Sequence, residues 1–133
     1  MLKKAGLDQC SQLIVGSAPV SDELLRKFRA LGIEIHNAYG QTEAPLITLN
    51  RLGDNNLHSV GTPLPDTQVY ENDNGELIAK GPQVACGYDK RKDDMLEQGI
   101  LCTGDLGRVD ETGHVYITGR KKNVIILSNG KNV

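Results

Sequence analysis

Short apolar runs, each broken by small or polar residues, alternate along this chain with one amphipathic stretch. Leu13-Ile14-Val15 is apolar, partly β-branched, and ends at Gly16-Ser17-Ala18-Pro19, which predicts a buried strand opening into a tight loop. Ser21 predicts an N-cap, Asp22 and Glu23 suit the positive first turn, and Leu24, Leu25, Phe28 and Leu31 share one face at helical spacing. Gly32 ends that helix and Ile33-Glu34-Ile35-His36 returns as a strand. Residues 13–36 therefore predict a strand–helix–strand unit with a right-handed parallel crossover. Loops 16–19 and 37–43 would then lie beyond the carboxyl ends of its strands, where parallel sheets bind ligands.

Past Pro45 the period shortens. Residues 46–50 predict one more strand, 51–57 are a polar connection, and from His58 the chain breaks into short strand candidates. Residues 68–70 and 77–79 flank Asp73-Asn74-Gly75, a strong hairpin signal. Residues 84–86, 100–102 and 114–117 continue the pattern, 110–113 read as a turn, and 89–97 as a short charged helix. Asn123 to Leu127 and Lys131 to Val133 predict two strands around Ser128-Asn129-Gly130, the last stopping with an unpaired edge. Met1 to Gly6 reads equally as a chain start or as the last turn of a helix ended by glycine.

The chemistry concentrates in Tyr39-Gly40-Gln41-Thr42-Glu43, where an amide, a hydroxyl and a carboxylate follow one another. The Thr42 hydroxyl can donate to a phosphoryl oxygen. The Glu43 carboxylate can hold Mg²⁺, which takes oxygen ligands shared with substrate phosphates. Downstream follow Thr103-Gly104-Asp105, Gly119-Arg120-Lys121-Lys122-Asn123 and Ser128-Asn129-Gly130-Lys131. In that order the four motifs resemble the adenylate-forming superfamily of acyl-CoA synthetases, adenylation domains and luciferases, and bacterial long-chain fatty acid CoA ligases in particular. The resemblance runs from about Leu13 to Val133.

That resemblance implies a fold and a site. The fold is α/β: the end of a parallel sheet domain (1–56), a small distorted antiparallel β-barrel (57–118), then a hinge and the first strands of a C-terminal subdomain (119–133). Gly16, Ser17, Ala18 and Pro19 would line the adenine and acyl pocket, and Tyr39 would lie near the adenine, with Gly40 and Gln41 in the same nucleotide-binding motif. Thr42 would bind phosphate and Glu43 the magnesium ion. Asp105 would accept hydrogen bonds from both ribose hydroxyls, since a carboxylate's two oxygens match a cis-diol. Asp110, in Asp-Glu-Thr-Gly, reads instead as an ordinary turn residue. Arg120 would reach ribose or phosphate oxygens, Lys122 would occupy the hinge, and Gly130 would approach the coenzyme A channel. A solvated basic patch is the alternative for 120–122, and a plain strand turn for 128–131.

The implied reaction joins a carboxylic acid to ATP as acyl-AMP and passes the acyl group to coenzyme A. The family's phosphate loop would precede residue 1 and its late catalytic lysine would follow Val133, so the chain alone is expected to be nearly inactive. The alternatives are a stand-alone binding or self-assembling module and part of an adenylation domain serving a carrier protein.

Composition narrows the partners. With 133 residues and a net charge of −2 in which neither sign is blocked together, it offers no electrostatic case for nucleic acid or an anionic membrane. Only 4% of residues are aromatic and none is Trp, so the core must rest on Leu, Ile and Val. Cys10, Cys86 and Cys102 lack CxxC spacing, favouring free thiols in a reducing compartment. No run reaches the ~20 apolar residues of a membrane span, and the cytoplasm is the expected location. His36, His58 and His114 lack partners at ligand spacing and read as structural or solvent-facing.

Overall fold

The computed structural model describes residues 2–87, 96–97 and 99–123. The expected strand 123–127, apart from Asn123, which ends a 3₁₀ turn, lies outside them, as do the expected strand 131–133 and most of the expected helix over 89–97, of which Leu96 and Glu97 are strand. A 3₁₀ turn, Leu2–Ala5, precedes β1 (Leu13–Val15). Ser21 caps α1 (Asp22–Ala30) by accepting a bond from the Leu24 amide at 3.3 Å, as its sequence position predicts. Of the expected apolar face only Leu25 is buried, while Leu24 and Leu31 remain exposed.

β1 pairs in parallel with β2 (Ile35–Gln41), giving the expected crossover around α1. The strand runs further than the sequence suggested. Residues 37–41, expected as a loop, belong to β2 and pair antiparallel with β3 (Ala44–Leu49), with Gln41 opposite Ala44. Backbone pairing with β3 claims this polar stretch, which has too little apolar alternation to read as a strand. Only Thr42 and Glu43 remain as the turn. β4 (Thr62–Pro63) adds the fourth strand to this sheet.

The second sheet is an antiparallel half-barrel of β5 (Gln68–Glu71), β6 (Glu76–Lys80), β7 (Leu96–Glu97), β8 (Ile100–Val109) and β9 (Val115–Arg120). The Asn72–Gly75 turn joins β5 to β6 as its Asn-Gly predicts, closed by the Gly75 amide on the Asn72 carbonyl at 2.9 Å. Residues 84–86, expected as a strand, are irregular. They follow Gly81-Pro82 and bond the first sheet through the Ala85 amide on the Glu43 carbonyl at 2.7 Å. The core lies between the sheets: Tyr39, Ala44 and Ile47 from the first meet Ala79 and Leu101 from the second, with Val84 of the irregular stretch between them in sequence. Burying Ile47 and Leu101 side chains contributes roughly 1.5–3 kcal/mol each.

The three cysteines are unpaired, and Cys10 and Cys86 are exposed. His36 is buried with Nδ1 3.3 Å from the Leu13 carbonyl, His58 is exposed beside Asp22, and His114 lies against the Thr112 hydroxyl at 2.9 Å. No helix among the described residues is long and apolar enough to cross a membrane.

Candidate nucleotide-binding site

Two features bring the site residues together. The β2–β3 hairpin presents Tyr39, Gly40 and Gln41 on a strand and Thr42 and Glu43 at its tip. Gly40 has to be glycine, because a Cβ there would lie 2.2 Å from the Pro45 carbonyl oxygen. Facing the hairpin, β8 carries Thr103-Gly104-Asp105 in mid-strand and does not end at 102 as expected. Gly104 takes φ +71°, a left-handed conformation that bends the strand here at low cost only for glycine. β9 then sets Arg120 directly opposite Asp105.

Asp105 is the centre of the arrangement and only 3% exposed. Its Oδ2 accepts from the Tyr39 hydroxyl at 2.6 Å and from Gln41 Nε2 at 2.9 Å, and its Oδ1 accepts from Arg120 Nε at 2.7 Å. Gln41 Nε2 also approaches the Tyr39 hydroxyl oxygen at 3.0 Å and the Thr103 carbonyl at 2.8 Å, so two hydrogens serve three acceptors. Such a buried carboxylate is tolerable because these three donors compensate its lost hydration. The same contacts shift the proton affinities of its neighbours. Burial first, then the bond to Asp105, pushes the Tyr39 hydroxyl well above its usual pKa of 10.0. The bond to Asp105, more than any other influence, raises the Arg120 guanidinium.

Three motifs, with Tyr39 66 positions and Arg120 15 positions from Asp105, thus meet at one carboxylate. Oδ1 carries one of these bonds against the two on Oδ2, so acceptor capacity remains on the Arg120 side. Glu43 is near enough to Arg120 to raise its pKa as well. Thr42 is exposed and Glu43 half-buried at the hairpin tip. One carboxylate with an adjacent hydroxyl suits Mg²⁺, which is commonly held by one or two carboxylates plus substrate phosphates. Among the described residues no group of three or more His, Cys, Asp or Glu stands ready to cage a metal alone.

The loop after β1 adjoins the same region. A Cβ on Gly16 would lie 3.2 Å from the carbonyl oxygen of Ala38, next to Tyr39. Ser17 has φ 68°, and Ser17, Ala18 and Pro19 are exposed. Lys122 is exposed in the 3₁₀ turn Lys121–Asn123 that follows β9. Gly130 lies outside the described residues. Asp110 is in the β8–β9 turn, where its carboxylate accepts from the Thr112 and His114 amides and from the Thr112 and Tyr116 hydroxyls.

These features fit the relationships of the chain. Residues 2–89 match the family model described as AMP-binding enzyme. The chain belongs to the AMP-binding enzyme family. It is 36% identical over 128 residues to a long-chain-fatty-acid–CoA ligase of Mycobacterium bovis, an alignment covering 93% of this chain and 21% of that protein. Among solved structures it resembles the o-succinylbenzoate CoA synthetase of Bacillus subtilis in complex with the acyl-adenylate intermediate OSB-AMP. That match has a TM-score of 0.84 and 28% identity, over 95% of this chain and 29% of that one. The same synthetase in complex with ATP and a magnesium ion matches at TM-score 0.78 and 27% identity, over 98% and 32%. This chain therefore spans about a fifth of the curated ligase and about a third of the solved synthetase. Its mixed first sheet and antiparallel half-barrel have the adenylate-forming enzyme fold.

Sequence reasoning gave Thr103 no role of its own within its motif and missed Glu76, which supports the site from behind. Thr103 Oγ1 donates to the Leu77 carbonyl at 2.7 Å and accepts from the Asp105 amide at 3.1 Å, pinning the Asp105 backbone. Glu76 is 5% exposed, with Oε1 on the Gly104 amide at 2.9 Å and Oε2 on Lys121 Nζ at 3.0 Å. The only hint in the sequence was an acid opening an apolar strand after a tight turn. A groove of about 490 Å³, lined by Asp66, Thr67, Gln68, Lys80, Gly81 and Gly99, lies at the far end of β6 from Glu76. It takes no part in this arrangement.

Proposed function

We propose that this chain supplies part of the nucleotide site of an ATP-dependent acyl-CoA synthetase that activates a fatty acid, with long-chain acids as the substrate class. A single observation carries the reading: Tyr39, Gln41 and Arg120, from two separate motifs, all bond Asp105 of a third. In the first step a carboxylate oxygen attacks the α-phosphorus of ATP and the bond to pyrophosphate breaks. In the second, the thiol of coenzyme A attacks the acyl carbonyl and AMP leaves.

In this reading the ribose hydroxyls approach Asp105 on its Oδ1 side, with Arg120 shifting toward ribose or phosphate oxygen. Its half-exposed side chain leaves room for that movement. Thr42 donates to phosphate, and Glu43 would hold Mg²⁺, which when bound neutralises charge developing on the phosphates. Gly16 to Pro19, Gly40 and Gln41 shape the adenine side. Residues 1–56 close the large domain, 57–118 form the barrel, and 119–133 begin the small domain, with Lys122 at the hinge and Gly130 toward the coenzyme A channel. The setting is the cytoplasm.

Titration of AMP, ATP-Mg²⁺ and a non-hydrolysable acyl-adenylate analogue, followed by amide shifts, tests the assignment. Perturbations should gather at 16–19, 39–43, Asp105 and Arg120. Their absence at millimolar ligand would overturn it. The chain alone should make no acyl-AMP, and formation of acyl-AMP by a contaminant-free preparation would refute that expectation. Exposed Ile14, Leu24, Leu31 and Leu52 favour a second reading, self-association. Sedimentation that stays monomeric at high concentration would dismiss it.

A further inference from the structure

Glu76 has the features of a group retained for more than stability. A buried glutamate is costly unless both oxygens are compensated, and here each faces a different part of the site. Oε1 takes the amide of Gly104, the bent residue beside Asp105. Oε2 takes the ammonium of Lys121, the first residue after β9 and the neighbour of Lys122. The Glu76 backbone is fixed as well, its amide on Asn72 Oδ1 at 3.0 Å and its carbonyl receiving the Asn72 amide at 3.0 Å. The ladder between β6 and β8 shifts register just after it, between Glu76 and Ile78. Burial, the largest single influence, would raise its pKa, but the bonds to Lys121, Gly104 and Asn72 and the charge of Lys121 together hold the carboxyl below its usual 4.5.

We infer that Glu76 is a positioning residue that couples the Thr103-Gly104-Asp105 bend to the segment leaving β9, its pair with Lys121 holding the first residues of that segment in place. The inference rests on the nucleotide-site reading above and adds to it a latch between the ribose side and the hinge. The pair is unequal in a useful way: Glu76 is buried, whereas the Lys121 side chain is 56% exposed and free to leave for water.

Substitutions separate the two arms. Glu76→Gln keeps an acceptor for the Gly104 amide but turns an NH₂ toward Lys121. Lys121→Met breaks the same pair from the exposed side, where the fold is not at risk. Glu76→Ala removes both bonds. Amide ¹⁵N relaxation on the labelled 133-residue chain, together with AMP titration, reads the result. Glu76→Gln and Lys121→Met should each lower the order parameters at Lys121 and Lys122 from about 0.85 toward 0.6. The Gly104 amide shift and AMP affinity should stay within about twofold of the parent chain, the hydrogen bond being kept. Glu76→Ala should in addition move the Gly104 amide and weaken AMP roughly threefold to tenfold, the effect of one lost hydrogen bond. Unchanged order at Lys121 and Lys122 in both Glu76→Gln and Lys121→Met would overturn the latch, even if either variant lost thermal stability. If the parent chain binds no AMP, the nucleotide reading fails, while the relaxation data still decide whether Glu76 holds the segment.

Discussion

Replacing Asp105 by Asn keeps the shape of the side chain and removes its charge where three donors converge. The amide has one acceptor oxygen where the carboxylate had two. Turned toward Tyr39 and Gln41, that oxygen leaves an NH₂ facing Arg120 Nε, donor against donor. Bonds to charged groups contribute about 1.5–3 kcal/mol and neutral ones about 1, so the two retained bonds lose roughly 1 kcal/mol each. The Arg120 pair adds at most ~1 kcal/mol, discounted because the Arg120 side chain is 60% exposed. Destabilisation should be about 3 kcal/mol, lowering Tm by roughly 10 °C for a chain of this size. Urea unfolding followed by circular dichroism measures it, with an unchanged slope confirming that only stability moved. A double-mutant cycle with Tyr39→Phe should show coupling above ~1 kcal/mol, as expected for groups in direct contact. A loss below ~1 kcal/mol, or coupling near zero, would refute the claim that Asp105 organises the site.

Stability should fall as pH rises above 10, because the folded Tyr39 holds its proton more tightly than the unfolded chain with its usual pKa of 10.0. Tyr39→Phe should flatten part of that slope in urea titrations across pH 9–11, and Tyr116, raised by burial and by its bond to Asp110, should keep the remainder. Gly40→Ala should cost several kcal/mol and disturb amide shifts at Thr42 and Glu43, since its Cβ meets the Pro45 backbone; a fold unchanged by calorimetry would contradict this. Arg120→Met should change stability by less than ~1 kcal/mol while weakening AMP measurably by titration calorimetry; equal AMP affinity would remove Arg120 from the site.

The family relationship and the local devices were legible in the sequence. Ser21 caps α1 through a bond three residues away, and Asn72–Gly75 closes its own turn, so neighbours alone suffice. The order of the Tyr39, Thr103 and Gly119 motifs pointed to the family before any geometry. What the chain does between those points was decided by distant partners. Residues 37–41 became strand because β3 pairs with them, and β8 ran on through Gly104 because β6 and β9 flank it. Tyr39 reaches Asp105 across 66 positions, and Lys121 reaches Glu76 across 45. A buried carboxylate such as Glu76 has no local signature, since its cost and its partners exist only once folding removes water and brings those strands together.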